Sequence, residues 1–290
     1  MSNSRPLIMT LLARDEEDII DYAMKFHLEQ GVDHIIVTDN LSIDSTPEIV
    51  QRYVQQGVAT YIREEGDNYD QSVWVTRMAR MAADRFKAAW VINTDADEFW
   101  LPDTGTLGEY FRSIPFWYNR LVVRRHDFLC LKRSEGEFWE RMIYRKRVST
   151  NALGRPLPPK CAHRGSRRVV VAVGNHSVSG MDPRPALRKE DGIGILHFPI
   201  RSADHYTHKI RVGGEALEKN TTFAKSIGAT WREQYKELKE TGKIQFLEDN
   251  LYSDDDVQRL LDSGEVLTEP RLAEFFRARQ AGHGNLGEPS

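Results

Sequence analysis

The chain has 290 residues, 40% of them hydrophobic and 29% charged, a balance that excludes a disordered or fibrous protein. Its 40 Lys and Arg against 43 Asp and Glu give a net charge of -3, which argues against attachment to nucleic acid by bulk charge. Cys130 and Cys161 are too few for a disulfide framework, and the opening residues read as neither a signal peptide nor a membrane span, so a reducing, cytoplasmic setting is expected.

Residues 7–13 (LIMTLLA) are a continuous apolar run, the pattern of a strand buried on both faces. Residues 16–30 read as a helix with Ile19, Ala23 and Phe26 on one face. Acids 15–18 would occupy its first turn, where the helix dipole favours them, and Gly31 stops it. HIIVTD is a second strand. Thr46 is expected to cap, and Pro47 to open, a second helix. Residues 58–62 form a third strand. Asp70 then caps a helix over about 71–87, with Val73, Met78, Ala82 and Phe86 as buried candidates, and residues 89–94 form a fourth strand. Four strand–helix alternations predict a parallel sheet with right-handed crossovers. Past residue 100 the pattern loosens into strands near 118–129, 142–148, 168–173 and 194–198. Helices follow from about 203 to 280, and the Gly-rich polar residues 281–290 are expected to fray.

Ligands of parallel sheets bind beyond the C-terminal strand ends. Those positions hold Arg14-Asp15, Asp39-Asn40, the loop from Glu64 to Asp70, and Asp95-Ala96-Asp97. The last is the sharpest feature. In extended chain, residues i and i+2 point the same way, so two carboxylates can face one site, and a divalent cation removes their repulsion. Magnesium and manganese are commonly held by one or two carboxylates with phosphates and water. Taken alone, the same residues also read as a polar loop with Asp97 capping a helix. In Asp39–Thr46, capping accounts for Ser45 or Thr46 but not for Asp39, which stands where a ribose hydroxyl or base edge could be read.

The spacing Asp39-Asn40-x-Ser42-x-Asp44-x-Thr46, followed by Asp95-Ala96-Asp97, resembles the family-2-like nucleotide-sugar glycosyltransferases of the GT-A fold. Arg14-Asp15 stand where family-2 enzymes carry Tyr-Asn in a nucleobase loop. Asp70-Gln71-Ser72-x-Trp74-Val75-Thr76-Arg77-Met78-Ala79-Arg80, Gly174-Asn175-His176 and His197-Phe198-Pro199-x-Arg201-Ser202 resemble a bacterial subgroup. The resemblance implies an α/β GT-A-type domain with a central mostly parallel sheet over residues 1–200, its donor half about 1–100 and acceptor half about 101–200. A helical C-terminal extension, 201–290, completes the chain. It implies transfer of a sugar from a nucleoside diphosphate sugar, UDP-linked as the first guess, with Mn2+ or Mg2+ and inversion. The acceptor is open: a glycan, a lipid-linked sugar met by peripheral membrane contact, or a small molecule.

Under the resemblance, Arg14, Asp15, Asp39, Asp70, Arg77, Asp95, Arg201 and Lys209 contact the donor. Asp95, Asp97 and His197 hold the metal, with Asp97 the direct ligand and His176 the competitor of His197. The general base would be Asp127, or Asp191 in the pair Glu190-Asp191. Nine Lys or Arg and no acid between residues 141 and 168 read either as a cleft wall facing an anion or as a solvated hairpin. Trp90 reads as core and Trp100 as a sugar-stacking candidate. Two other classes stay open. A haloacid-dehalogenase-type phosphatase also places Asp-x-Asp after a strand, but Phe99 stands where it wants Thr or Val. A non-catalytic nucleotide-sugar-binding protein would keep the fold without turnover.

Overall fold

In the computed structural model, the residues described are 5–283, apart from 69, 134, 152–153, 190 and 222–226. Glu190 and the tail from residue 284, expected to fray, lie outside them. The chain divides into two compact units. One comprises Met1–Arg125, Leu157–His197 and Glu215–Ile227, and the other His126–Pro156, Phe198–Gly214 and Gly228–Ser290. Among the described residues, no helix is long and apolar enough to cross a membrane.

The first unit is a mixed α/β layer structure. Its early elements are β1 (Leu7–Ala13), α1 (Ile20–Glu29), β2 (His34–Asn40), α2 (Thr46–Gln55), β3 (Ala59–Glu64), α3 (Gln71–Asp84) and β4 (Trp90–Asp95). They are followed by β5 (Glu98–Pro102), α4 (Leu107–Ser113), β6 (Arg120–Val123), β7 (Lys160–Arg164), β8 (Ala186–Lys189) and β9 (Ile193–His197). Seven strands form one sheet in the order β8-β6-β7-β4-β1-β2-β3. It is mostly parallel; only β7 runs against its neighbours β4 and β6. β5 and β9 pair antiparallel in a separate sheet, with Glu98 opposite His197.

The apolar runs of β1, β2 and β4 are buried because helices cover the sheet. α3 offers Val75, Met78, Ala79 and Ala82, spaced i, i+3, i+4 and i+7, against Ile8, Ile36 and Val91. Complete burial of such side chains contributes about 1.5–3 kcal/mol for the larger ones. Val73 was expected among them but is 62% exposed: at about 100° per residue it lies on the other side of the helix from Val75. α1 starts later than the acids suggest, at Ile20, and Asp15–Asp18 form the preceding loop. His27 on α1 is fully buried: its Nδ1 donates to the Ala23 carbonyl at 2.7 Å and its Nε2 accepts from the Trp100 amide at 3.1 Å.

The second unit is largely helical. One apolar cluster joins Tyr206, Ile210, Tyr235, Ile244 and Leu247, and another joins Leu129, Leu131, Val257 and Val266. Gly213 and Gly214 let Trp231 and Tyr235 lie against their helix; a Cβ at either would sit 2.2 Å from a ring. The helix Asp254–Asp262 carries a capping box at Ser253, so this acidic run is helix-entry chemistry.

Candidate active site

Register aligns the C-terminal ends of the parallel strands. Ala13 pairs with Asp39, Leu12 with Asp95, and Asn40 with Glu64. All four strand-end loops therefore open on one edge of the first unit.

The first two loops are stitched together by side chains of the β2–α2 segment. Ser42 Oγ accepts from the Asp15 amide at 2.9 Å, Thr46 Oγ1 from the Glu16 amide at 2.9 Å, and Asp44 Oδ2 from the Glu17 amide at 3.0 Å. Asp15 answers by accepting from the Ile43 amide at 2.8 Å, with its own backbone at φ 53°. Thr46 is thus no helix cap; position and hydroxyl are committed to the neighbouring loop, and Ser45 at the cap position makes no capping bond. Asp39 has no exposed surface. It accepts from Tyr61 Oη at 2.7 Å and from Arg63 Nη1 at 2.5 Å, and its other oxygen accepts from the Ser42 amide at 3.2 Å. Burial and this bond push the Tyr61 hydroxyl up to about 12. A direct contact of Asp39 with a ribose or base does not fit that burial; the carboxylate holds Tyr61 and Arg63 instead.

The β4 end is built differently. The side chain of Asp95 is 30% exposed. Its Oδ2 accepts from Lys160 Nζ at 2.6 Å and its Oδ1 from Asn175 Nδ2 at 3.2 Å. Lys160 is the first residue of β7, and the antiparallel register places it beside the end of β4. It is 1% exposed and also meets Glu98 Oε1 at 2.8 Å; Glu98 is completely buried and lies 3.4 Å from Arg125 Nη1. Burial acts to lower the Lys160 pKa, but Asp95 and Glu98 outweigh it and hold the ammonium above the usual lysine range. Lys160 is a partner of Asp95 that the sequence hides within a run of basic residues.

Asn175 is placed by α3. Gln71 accepts from the Gly174 amide at 2.9 Å, Ser72 donates to the Val171 carbonyl at 2.5 Å, and Thr76 accepts from the Val171 amide at 2.9 Å. Arg80 Nε donates to the Val169 carbonyl at 2.9 Å. Gly174 and Asn175 both take positive φ, 73° and 61°. A Cβ on Gly174 would lie 2.4 Å from His176 Nε2, so glycine permits the imidazole to fold back. The residues of the α3 motif and of Gly174-Asn175-His176 therefore belong to one device that fixes Asp95. His176 Nδ1 lies 3.0 Å from the Pro159 carbonyl; burial and then the Lys160 charge lower its pKa to about 4.

Asp97 and His197 meet across the β5–β9 pair. Asp97 Oδ1 is 3.7 Å from His197 Nε2, and the two side chains are only 4% and 12% exposed.

Other expected site residues fall elsewhere. Arg14 Nη1 pairs with Asp67 at 3.0 Å, and Lys219 pairs with the same carboxylate. Asp70 stands at the α3 N-cap without capping and accepts from Asn68 at 2.8 Å. Arg77 pairs with Glu64 at 2.7 Å. Asp191 is exposed at the far end of β9, roughly 20 Å from His197 at ~3.3 Å per residue, so it does not reach the Asp97–His197 pair. Asp127 lies in the second unit, where its amide donates to Ser149 Oγ at 2.7 Å. Arg201 of that unit is 1% exposed, donates to the Phe198 carbonyl at 3.2 Å and lies 2.6 Å from His205 Nε2, so its fork is already engaged. Lys209 lies on the helix Ala203–Lys219 in the same unit. Trp100 is completely buried, its indole donating to Thr94 at 3.2 Å, which removes it as a stacking platform; Trp90 is core as expected. The strands of the basic run do not pair with each other, and its charges are balanced by acids elsewhere in the chain, as its solvated reading expects. Arg145 pairs with Glu269, Arg167 with Asp84 and Arg168 with Asp182, and Arg164 stacks on Trp90.

The family model of glycosyltransferase family 92 matches residues 12–245. No curated protein matches the chain in sequence. Similar solved structures include S. aureus TarS 1–349 in complex with UDP, 11% identical over 80% of this chain and 71% of that one, with a TM-score of 0.41. Another is the mannosyltransferase PcManGT from Pyrobaculum calidifontis in complex with GDP-Man and Mn2+, 13% identical over 80% and 70%, with a TM-score of 0.42.

Proposed function

The chain belongs to glycosyltransferase family 92, and from that premise we propose that its first unit is a GT-A-type domain that binds a nucleoside diphosphate sugar, UDP-linked as first choice, and transfers the sugar to an acceptor hydroxyl. The supporting observation is the Asp97–His197 pair, 3.7 Å apart at the edge where the parallel strands end.

That pair suits a divalent ion. A carboxylate oxygen and an imidazole nitrogen are both ligands of manganese, and adjacent positions around one octahedral ion, with bonds of ~2.1 Å, lie ~3 Å apart. In this proposal Asp97 and His197 hold Mn2+ or Mg2+, which when bound counters the charge building on the departing diphosphate. Asp95, fixed by Lys160 and Asn175, offers its exposed edge as an acceptor to donor hydroxyls. The stitched loops at Asp15 and Ser42 give the nucleoside a rigid floor, and Arg14, Asp70 and Arg77 are the donor contacts to test there. As general base we propose Asp127, which the sequence sets at the end of an apolar strand; Asp127→Asn is expected to stop turnover while UDP still binds.

The test is a donor screen by nucleotide release, with and without manganese. Manganese-dependent release of a nucleoside diphosphate, lost in Asp97→Ala, is expected. Binding of a nucleotide sugar without any release would make the protein a binding module. Inorganic phosphate from a generic ester would restore the phosphatase reading.

A further inference from the structure

The spacing of Asp95 and Asp97 alone would let both carboxylates serve one ion. The geometry around Asp95 argues otherwise. One of its oxygens is 2.6 Å from the Lys160 ammonium and the other 3.2 Å from the Asn175 amide. Lys160 cannot easily turn away, because it is 1% exposed and a second carboxylate, Glu98, holds it from behind at 2.8 Å. Glu98 is itself completely buried, and accepts from Thr94 Oγ1 and the Asp95 amide, each at 3.4 Å. Two acids thus grip one buried ammonium, and one of them is the first acid of the strand-end pair. A divalent ion seated on that same carboxylate would lie within a few ångströms of the ammonium, with little water between to screen the two charges.

Building on the function proposed above, we infer that Lys160 is a positioning residue that fills the cation place of Asp95, so that Asp97 and His197, and not Asp95, take the divalent ion. Lys160 touches neither donor nor metal. It turns one carboxylate of the pair into a fixed acceptor and leaves the other to metal binding, which divides two chemically identical side chains between two tasks. The α3 residues that place Asn175 serve the same end from the other oxygen. Removing the ammonium gives Asp95 back its appetite for a cation, so the variant should bind metal better than the native chain.

The experiment is a Mn2+ titration of the full chain without nucleotide, followed by the electron paramagnetic resonance of free Mn2+. Lys160→Met is expected to bind Mn2+ at least tenfold more tightly than the wild type. Adding Asp95→Asn to that variant should erase the gain. Lys160→Arg, which keeps the charge, should stay at the wild-type value. In the otherwise native chain, Asp95→Asn should change Mn2+ affinity less than twofold, while Asp97→Ala should abolish it. Lys160→Met leaves Glu98 buried beside one fewer cation; if it does not fold by circular dichroism, Lys160→Met combined with Glu98→Gln replaces it, with the same expected gain. A folded Lys160 variant with unchanged or weaker Mn2+ binding overturns the inference, as does an Asp95→Asn loss as large as that of Asp97→Ala. The outcomes separate this inference from the function beneath it. A wild type that binds Mn2+ and shows the expected Lys160 and Asp95 pattern, yet releases no nucleotide from any donor, sinks the transferase reading and keeps the role of Lys160; manganese-dependent release without the Lys160 pattern sinks only the latter.

Discussion

The ends of β2 and β4 both present acids to the same edge of the sheet, and they use them in opposite ways. At β2, Asp39 is sealed beneath Tyr61 and Arg63, and the alternating Ser42, Asp44 and Thr46 bind the amides of the adjoining loop. At β4, Asp95 keeps an exposed edge beside an internal cation, and Asp97 faces an imidazole. An acidic strand end is therefore not in itself a ligand site. What distinguishes Asp39 from Asp95 is exposure: the first is sealed, and the side chain of the second is 30% open.

That contrast can be broken at several points. His197→Ala should cost turnover at limiting manganese at least the roughly 10–100-fold that follows loss of a metal ligand's supporting partner, with partial recovery at high manganese. A loss that manganese does not relieve would count against a ligand role. Asp39→Ala should act on the fold, destabilising by about 1–3 kcal/mol, because Tyr61 and the Ser42 amide lose their acceptor while the part-exposed Arg63 turns to solvent. Denaturant titration checks this; an unchanged midpoint with weakened UDP binding would reverse the contrast.

Acid should unfold the protein through its buried histidines. Burial lowers His27 and His163 from 6.5 to about 4, with backbone hydrogen bonds opposing it, so in the native state both stay neutral where the unfolded chain takes up protons. Their stabilisation is fully present above pH 6.5 and drains away as pH falls toward 4, by roughly 3 kcal/mol for each at the limit. Urea midpoints between pH 7.5 and 4.5 should fall accordingly; a flat profile would show that these rings are not sealed. The smallest effect is expected from Thr46→Val, which deprives the Glu16 amide of its acceptor for about 1 kcal/mol. A change much below that would mean water replaces the stitch.

The parallel half of the sheet is legible in the sequence because strands buried on both faces announce themselves as apolar runs between helices. The antiparallel β7 is not. KCAHR opens on a lysine inside a basic stretch, and only long-range register shows that this lysine belongs against β4. The first turn expected for α1 yielded to tertiary bonds, since Asp15–Glu17 have more to gain from Ser42, Asp44 and Thr46 than from a helix dipole. Val73 was lost to helix phase. The place of Asp191 at the far end of β9 from His197 is set by the strand's direction, which the residues around it do not announce. The α3 motif names its residues without telling that Gln71, Ser72, Thr76 and Arg80 bond the segment from Val169 to Gly174 that leads into Asn175.

The most direct measurement is calorimetry of UDP binding in the presence of Mn2+, on the wild type and on Asp97→Ala. Manganese-dependent binding by the wild type and its loss in the variant is the predicted result. Equal affinity in both proteins would contradict the place given to Asp97, and with it the metal site on which the proposed transfer depends.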